Sequence, residues 1–381
     1  MRRLVLILAG VVLAVSGVMG QAKPGLPVKL ESGPWKAGHV QGVAVDTKQE
    51  YIYLSFTTML VKMDMQGNVV GTVTGLLGHL GCIEFNDADG RLYGSLEYKD
   101  DSIGRGILRQ EGVSGMLQTG FYVAIFDVDK ITREGMSAER DNVMTSVLLK
   151  TVVEDYQASV YDSVSGKDVE HRHGCSGFDG ISFGPAFDGS GKTLLTIAYG
   201  IYRGKNRGDN DYQVLLQYDT KDWAKYELPL SQKSMHRQGP DTPYGKYFVY
   251  TGNTSWGVQN LEYDKHSNLW FLACYPGKKE TFANYTLFAV DGSKPAVSKK
   301  LIGVKYVKKG NVLTIAKAGA QDNQHKGIYG WHNKLGVYGL CSLGGGDFYL
   351  VSAGKTEEGR TAGVHLARYV GESDKAFELV K

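Results

Sequence analysis

Residues 38–46 of the chain read Gly-His-Val-Gln-Gly-Val-Ala-Val-Asp, which is an opening glycine, an apolar stretch and an acidic turn residue. Residues 78–86, Gly-His-Leu-Gly-Cys-Ile-Glu-Phe-Asn, and residues 256–264, Trp-Gly-Val-Gln-Asn-Leu-Glu-Tyr-Asp, repeat this layout. Weaker copies begin near Ser176 and Val337. Recurrence at about 40 residues, or near multiples of it, is typical of four-stranded propeller blades. The repeat therefore predicts an all-β chain folded as a β-propeller, with the first strand of each blade lining a central channel.

The segments after the strong copies support this architecture. Strand-like stretches at 51–56 and 60–64 follow the first copy, and stretches at 269–273 and 286–291 follow the third. The chain contains 50 Gly and 23 Tyr and little sustained helical periodicity, which favours short strands joined by tight turns. Five copies are legible, but wide gaps leave room for more, so we expect seven blades with five as the alternative. A β-sandwich with similar turns is the competing architecture.

Two stretches depart from the repeat. Residues 129–156 carry apolar side chains at helical spacing, which predicts a short inserted helix. These side chains are Val143, Met144, Val147, Leu148 and Val152. Residues 203–212 form a polar loop rich in Gly, Asn and Asp. Long loops on a rigid scaffold commonly carry ligand-binding residues.

The first 20 residues have the layout of a secretory signal. Met1-Arg2-Arg3 precedes an apolar run over residues 4–15, and small residues continue to Gly20. No later stretch approaches the roughly 20 continuous apolar residues of a membrane-spanning helix. We therefore expect residues 1–20 to be a signal peptide, residues 21–381 to form a single propeller domain, and the mature protein to be periplasmic or secreted, without membrane insertion.

Charge and cysteine content narrow the partners. Lys and Arg number 43 against 40 Asp and Glu, so no charge excess indicates nucleic acid or an anionic membrane as a partner. We expect a monomer. Export permits disulfides, but the four cysteines are far apart in strand-like apolar contexts, which favours buried free thiols. They are Cys82, Cys175, Cys274 and Cys341.

Three sets of residues are candidates for chemistry, and the first lies in the opening strands. His39 and Gln41 are two positions apart, so on a strand their side chains share a face. His79 has the equivalent place in the next copy, and Gln259 lies in the third strong copy. This pattern predicts a polar site in the channel, with His39 as a catalytic residue and the other three as substrate-binding residues. The alternative is that the histidines cap turns or satisfy backbone groups.

The second set is His171, His173 and Cys175. If this segment is extended, the three side chains lie on one face, and two imidazoles with a thiolate could hold zinc. A hydrogen-bonded structural cluster and a catalytic role for His173 are the alternatives. No cofactor is specified by the sequence beyond this candidate site for a structural zinc or calcium ion.

The third set surrounds the polar loop. Arg offers a bidentate fork for a carboxylate, and a neighbouring Tyr can transfer a proton. The candidate catalytic residue is Tyr199, and the candidate substrate-binding residues are Tyr202, Arg203, Arg207, His236 and Arg237. An ordinary solvated loop is the alternative.

The signal peptide, the two Gly-His strands and the His-Arg-His-Gly-Cys-Ser-Gly segment at 171–177 together resemble secreted bacterial propellers that act on acidic glycans. The resemblance is to glycoside hydrolase family 145 and to the related ulvan lyases of polysaccharide lyase families 24 and 25. It implies a seven-bladed propeller that removes terminal L-rhamnose linked to glucuronic acid, with one main catalytic histidine assisted by the substrate carboxylate. His39 is the position that would carry this role. A register shift of two residues would place Gln41 there instead and predict a weak or inactive enzyme.

Two other functions stay open at this point. A uronate lyase must neutralise the uronate carboxylate and then supply a base and an acid. Arg203 or Arg207 could neutralise the carboxylate, and His173 with Tyr199 or Tyr202 could transfer the protons. A propeller that binds an acidic polysaccharide, an oligosaccharide or a protein without catalysis is the third interpretation.

Overall fold

The computed structural model describes residues 25–115 and 118–381, so the predicted signal peptide lies outside the described residues. Within them the chain forms 28 strands, two α-helices and three short 3₁₀ turns. The strands are β1 (Lys29–Glu31), β2 (Val40–Val45), β3 (Tyr51–Phe56), β4 (Met59–Asp64), β5 (Val69–Thr74), β6 (His79–Asn86), β7 (Arg91–Tyr98), β8 (Gly120–Phe126), β9 (Met136–Ser137), β10 (Met144–Leu148), β11 (Ser159–Asp162), β12 (Lys167–Glu170), β13 (Cys175–Pro185), β14 (Thr193–Ile201), β15 (Tyr212–Tyr218), β16 (Leu228–Pro229), β17 (Gly245–Tyr250), β18 (Ser255–Asp264), β19 (Leu269–Tyr275), β20 (Leu287–Asp291), β21 (Val297–Lys299), β22 (Gly310–Val312), β23 (Ala320–Gln321), β24 (Tyr329–Gly330), β25 (Leu340–Gly344), β26 (Asp347–Lys355), β27 (Arg360–Tyr369) and β28 (Phe377–Leu379). The helices are α1 (Ser102–Gln110) and α2 (Lys150–Gln157), and the 3₁₀ turns are Val128–Lys130, Arg172–Gly174 and Trp223–Lys225.

Five sheets form the blades of a β-propeller, which confirms the predicted all-β propeller class. The blade number is five, the alternative count, and not the seven that we favoured. The innermost strands are β2, β6, β13, β18 and β25, and each packs against the innermost strands of its two neighbours to close a ring. These strands coincide with the five sequence copies, so the repeat had identified every blade in the described residues.

The wide gap between the second copy and the copy near Ser176 holds an insertion and no further blade. It contains α1, α2 and the hairpin of β11 and β12. The predicted helix within 129–156 is confined to α2, because residues 144–148 form β10 and pair in register with β8, from Met144 opposite Phe126 to Leu148 opposite Tyr122. Side chains buried on both faces of a strand cannot be told from a buried helix by periodicity alone. The polar loop over residues 203–211 is a loop between β14 and β15, as predicted.

The outer edge of each blade is covered by chain from another part of the sequence. β9 pairs in parallel with β5 of the first blade, β16 pairs with β10 of the second, and β22 pairs in parallel with β17 of the third. Isolated bridges from Ile315 and Trp331 cover β20 of the fourth blade. In the fifth blade, β1 and β28 both pair with β27, so the N-terminal strand closes the ring. Covered edges present few open hydrogen-bonding groups to other chains.

The inner strands approach one another closely, and this explains glycines in the repeat. A Cβ added at Gly42 would lie 2.9 Å from the backbone nitrogen of Ile83 on the next inner strand. Large apolar side chains fill the space between the sheets, among them Phe178 on an inner strand and Tyr93 and Trp270 on strands that pair with inner strands. All four cysteines are buried free thiols, as predicted. Among the described residues there is no helix of the length and apolarity that a bilayer-spanning segment requires.

One amide links three blades at the ring. Asn260 of β18 is fully buried, and its Nδ2 donates to the carbonyl oxygens of Gln41 and Val337, each at 2.9 Å. Gln41 is the extra residue of a β-bulge in β2, between the paired residues Val40 and Gly42. Bulged residues leave backbone groups unpaired. Asn260 therefore donates hydrogen bonds to carbonyl oxygens of neighbouring blades, such as that of the bulged Gln41.

We expect Asn260→Ala to lower the free energy of unfolding by about 2 kcal/mol or more, because a buried carbonyl left without its donor costs about 1–3 kcal/mol. Chemical denaturation of the two proteins measures this difference. Asn323→Ala is the matched control, since Asn323 is exposed, and it should change stability by no more than about 0.5 kcal/mol. Equal destabilisation by both substitutions would contradict the linking role of Asn260.

Candidate functional site

A cavity of about 770 Å³ opens at the end of the channel where the inner strands begin. We call it the axial cavity. All five blades contribute side chains to it, and α1 forms part of its wall. The polar side chains used below are His39, Gln41, His79, Glu97, Lys99, Asp179, Arg203, Gln259, Lys278 and Arg360. A site assembled from every blade exists only when the ring is closed.

Bulges in the inner strands aim three of these side chains. Gln41 lies between Val40 and Gly42 at a register shift, Asp179 between Phe178 and Gly180, and Gln259 between Val258 and Asn260. Each is the extra residue of its strand, and β-bulges commonly re-aim a side chain next to a functional site. The bulges thus place equivalent polar residues of three blades at one level of the channel.

A charged network occupies the floor of the axial cavity. His79 Nδ1 lies 3.3 Å from Asp179 Oδ1 and 3.9 Å from Glu97 Oε2. Lys99 Nζ donates to Glu97 Oε2 at 2.7 Å, and the Phe178 backbone N–H donates to Glu97 Oε1 at 2.6 Å. Gln259 Nε2 donates to Asp179 Oδ2 at 3.1 Å. Asp179 and Glu97 therefore have most of their oxygen atoms engaged, and they hold the Nδ1 side of the His79 ring.

Gly177 makes room for this network. Its φ of +117° is unfavourable for side-chain-bearing residues, and a Cβ there would collide with the carboxylate of Glu97. The next residue is Phe178, whose N–H binds the same carboxylate. Gly177 therefore allows the backbone to pass close to the buried Glu97 carboxylate, so that the Phe178 N–H can donate to it.

The network sets the ionisation of His79 and Glu97. Desolvation would lower the pKa of His79, but the hydrogen bond with Asp179 and the negative charges of Asp179 and Glu97 outweigh it and raise the pKa above 6.5. Desolvation raises the pKa of Glu97 to about 7, against the opposing charge of Lys99. Desolvation also acts on Asp179, but the hydrogen bond and charge of His79 keep its pKa below 3.8. His79 is thus a proton donor held in place by an ionised Asp179.

His39, in contrast to His79, has a lowered pKa and an uncharged ring. Desolvation, the charge of His79 and the charge of Arg360 lower the pKa of His39 to about 4, so its ring is neutral near pH 7. Gln41 Nε2 lies 3.3 Å from His39 Nε2 and donates to Thr57 Oγ1 at 3.2 Å. Two titratable groups whose pKa values are pushed apart in one cavity have the arrangement of a general base and a general acid.

The rim of the axial cavity is cationic and aromatic. Arg203, Lys278 and Arg360 line it, and within the described part of the chain none of the three has an ion-pair partner. Trp256 also lines it and has φ +66°, a conformation that a bulky residue rarely adopts. Backbone strain of this kind persists where the surrounding structure fixes it and is frequent at ligand-binding sites.

The structure brings five of the predicted site residues into the axial cavity, namely His39, Gln41, His79, Arg203 and Gln259. The others lie elsewhere and bind protein groups. Tyr199 donates to Asp155 and Tyr202 to Asp101, while Arg207 donates to Asp209 and to the carbonyl oxygens of Glu170 and His171. His236 contacts Ser146, and Arg237 donates to the Thr119 carbonyl. None of these residues lines the axial cavity, so their positions do not support the predicted catalytic and substrate-binding roles.

The extended conformation assumed for the metal set is wrong. His171 and His173 have positive φ values of 66° and 57° around a 3₁₀ turn, so their side chains diverge. His171 Nδ1 contacts the Tyr156 carbonyl, His173 Nδ1 contacts the Tyr306 hydroxyl, and Cys175 Sγ donates to the Gly177 carbonyl. Burial raises the pKa of the Cys175 thiol, so in this environment it is a protonated, structural side chain.

In the part of the chain that the structure describes, one group of three potential ligands converges: His79, Glu97 and Asp179, whose ligand atoms lie within 4.8 Å of one another. Lys99 already places an ammonium group on Glu97, and protonated His79 balances Asp179. This group is distinct from His171, His173 and Cys175, for which the sequence predicts a zinc ion.

Sequence reasoning missed Glu97, Lys99, Asp179, Trp256, Lys278 and Arg360. A signal existed for Asp179, because it stands two residues after a glycine in its repeat copy, as Gln259 does. Glu97 and Lys99 are two positions apart at the end of β7, which puts both side chains on one face. No comparable pattern identified Arg360.

The opposite mouth of the channel holds a second cavity, of about 830 Å³, lined by Glu84 and Glu262. Desolvation raises the pKa of Glu84 to about 8 and that of Glu262 well above 4.5, and the two carboxyls share a hydrogen bond. Carboxyl groups that flank a glycosidic bond stand about 5 Å or more apart. These two are in contact and cannot flank a bond, so the axial cavity is the stronger candidate site.

No protein-family model matches the chain, and no curated protein matches it. Among solved structures, the chain is similar to a structural genomics protein of unknown function from Bacteroides thetaiotaomicron, with 12% identity over 88% of this chain and 72% of that chain and a TM-score of 0.33. It is also similar to the soluble aldose sugar dehydrogenase of Escherichia coli, with 10% identity over 87% of this chain and 97% of that chain and a TM-score of 0.34. Similarity at this level does not bear on function.

We expect Asp179→Asn to lower the pKa of His79, because the substitution removes the hydrogen-bond acceptor and the negative charge of Asp179, while desolvation continues to lower the pKa and only the charge of Glu97 still raises it. Histidine-selective ¹⁵N NMR across a pH titration measures this. In the unsubstituted protein His39 should stay neutral down to about pH 4 while His79 stays protonated above 6.5. An unchanged His79 titration in Asp179→Asn would contradict the network.

Proposed function

We propose that the axial cavity cleaves a glycosidic bond next to a uronic acid, with an L-rhamnosyl-glucuronate linkage as the substrate. The observation that carries the proposal is the meeting of a neutral His39, a protonated His79 and unpaired cationic side chains in one cavity. We also propose that the protein acts after export, as the first 20 residues indicate.

The rim supplies the means to bind a uronate. Arg203 and Arg360 offer guanidinium groups, which match a carboxylate with two parallel hydrogen bonds. Lys278 adds an ammonium group. Trp256 offers a flat apolar surface beside these charges, and ligand sites generally combine such surfaces with a few placed polar groups. A negatively charged sugar therefore finds both charge and surface complementarity in the axial cavity.

The two histidines supply the chemistry of hydrolysis. His79 Nδ1 faces Asp179 Oδ1 at 3.3 Å, so Nε2 is the nitrogen that gives its proton to the glycosidic oxygen as the bond to the anomeric carbon breaks. His39 accepts a proton from the attacking water, whose oxygen forms the new bond to that carbon. The substrate carboxylate assists by stabilising the positive charge that develops on the sugar ring. The resemblance to family 145 also implies a central catalytic histidine, but it implies seven blades as well, and this ring has five.

A uronate lyase is the second candidate, because the unpaired cations could neutralise the substrate carboxylate. His173 and Tyr199, which the sequence suggests for the two proton transfers, do not line the axial cavity. In this interpretation His39 would remove the proton next to the carboxylate. The product would contain a conjugated double bond that absorbs in the ultraviolet, whereas hydrolysis gives a saturated sugar.

We expect His39→Ala and His79→Gln each to reduce turnover by about 10²–10⁴-fold, the usual effect of losing a positioned acid or base. Release of sugar from rhamnosyl-glucuronate oligosaccharides measures turnover, with ultraviolet absorbance recorded in parallel to detect a lyase product. His266→Ala is the matched control, because His266 is exposed and does not line the axial cavity. Unchanged turnover in both test variants with normal melting temperatures would refute the assignment. Binding without turnover on any uronate glycan would favour a binding protein.

The pH dependence of kcat/KM should follow the same two groups. His39 acts in its neutral form, so activity should fall as the pH drops through about 4. His79 acts in its protonated form, so activity should fall as the pH rises through its raised pKa, above 6.5. Asp179→Asn should move the alkaline limb to lower pH. A profile whose alkaline limb is the same in this variant would show that another group donates the proton.

A further inference from the structure

A third cavity, also polar, lies on the third blade, away from the channel, with a volume of about 470 Å³. We call it the lateral groove. Its polar lining is cationic and includes Arg172, His173, Lys246, Tyr306 and Lys309, and no described residue of the lining is acidic. Phe248 adds an aromatic surface. None of these residues takes part in the chemistry proposed for the axial cavity.

One buried carboxylate fixes two of these cations. Asp155, whose side chain is 1% exposed, accepts from Arg172 at 2.8 Å and from Lys246. Tyr199 also donates to it, at 2.9 Å. Two positive charges thus share one negative charge, and the exposed Lys309 adds another positive charge without an ion pair among the described residues. The lateral groove therefore carries a net positive charge on side chains that are already positioned.

A hydrogen-bond relay fixes the tautomer of His173. The Tyr306 hydroxyl donates its proton to Asp209 Oδ2 at 2.8 Å, so its oxygen accepts from His173 Nδ1 at 3.0 Å. Burial and the charges of Lys246, Arg172 and Arg207 lower the pKa of His173 well below 6.5, which keeps the ring neutral. A neutral ring with its proton on Nδ1 has a lone pair on Nε2. Among the described residues Nε2 has no hydrogen-bond partner, and the ring is part of the groove lining.

The backbone of His173 is held in a costly conformation. Its φ is +57°, and it is only 1% exposed. Its backbone N–H donates to Asp209 Oδ2 at 3.1 Å, while Arg207 binds Asp209 and the carbonyl of His171. A buried imidazole that is fixed at its backbone and at Nδ1, with Nε2 left for a ligand, is arranged to accept a hydrogen bond.

We infer that the lateral groove is a second binding site, for a small anion that also carries a hydroxyl group, in the chemical class of a uronate monosaccharide. The anion contacts Lys246, Arg172 and Lys309, and a hydroxyl of the ligand donates to His173 Nε2. An inorganic anion such as sulfate has no proton to donate near neutral pH and leaves Nε2 unpaired. A neutral sugar donates to Nε2 but does not use the cations. This inference is independent of the reaction proposed for the axial cavity.

The test uses the full chain with ¹⁵N-labelled histidine, titrated with D-glucuronate, D-glucose and inorganic sulfate. Before addition, His173 Nε2 should resonate as an unprotonated nitrogen, and glucuronate should shift this resonance in a saturable manner. Glucose and sulfate should bind at least about 10-fold more weakly, because each lacks one of the two contacts. Binding in the axial cavity is reported separately by the His39 and His79 resonances, so the two sites succeed or fail independently.

Lys309→Glu should weaken glucuronate binding, measured at His173, by about 10-fold or more, and this exposed substitution leaves the Asp155 cluster intact. Lys326→Glu is the matched control, since Lys326 is exposed and does not line the lateral groove. Any of three results would overturn the inference: a His173 resonance that glucuronate does not shift, equal affinity in Lys309→Glu, or equal affinity for glucose or sulfate.

Discussion

Closure of the ring by β1 on β27 is the constraint on which the rest of the structure depends. The same N-terminal segment reaches the axial cavity indirectly, because Trp35 exchanges backbone hydrogen bonds with Arg360, at 2.8 and 2.9 Å. Every blade supplies a side chain to that cavity, so the positions of His39, His79, Asp179, Gln259 and Arg360 are fixed relative to one another only in the closed ring. A change that opens the ring therefore disrupts the geometry of the axial cavity as well as the fold.

The two ends of the channel differ in charge although they are built from the same five strands. At one end β6 contributes His79 and β18 contributes Gln259, and further along the same strands contribute Glu84 and Glu262. Arg203, Lys278 and Arg360 lie at the first mouth without ion-pair partners among the described residues, above the engaged carboxylates of Glu97 and Asp179, while carboxyl groups with raised pKa values occupy the second mouth. An anionic ligand approaching the protein is thus attracted to one mouth, because a cleft lined by one sign of charge concentrates ligands of the opposite sign.

Much of the fold was readable from the sequence, since the glycine-flanked repeat marks the inner strand of each blade. The same repeat identified His39, Gln41, His79 and Gln259, because equivalent positions of a propeller converge on its axis. Asp179 was missed although it has the same bulge position as Gln41 and Gln259, because it lies in one of the weaker copies of the repeat. The positive φ values of His171 and His173 could not be predicted from the sequence either, because non-glycine residues rarely adopt this conformation. Tertiary contacts hold it: Asp209 accepts from the backbone N–H of His173, and Arg207 donates to the carbonyl of His171.

The covering of blade edges has a consequence for how such a chain can change over generations. In many repeat proteins each unit contacts only its neighbours, and gain or loss of one unit preserves the rest. Here the first three blades each receive an outer strand encoded within or beyond the next one. Duplication or deletion of a single blade would leave one neighbour with a bare edge. Loops of this ring can therefore change in length without disturbing the blades. A change in the number of blades requires that a blade be replaced together with the outer strand that covers the edge of its neighbour.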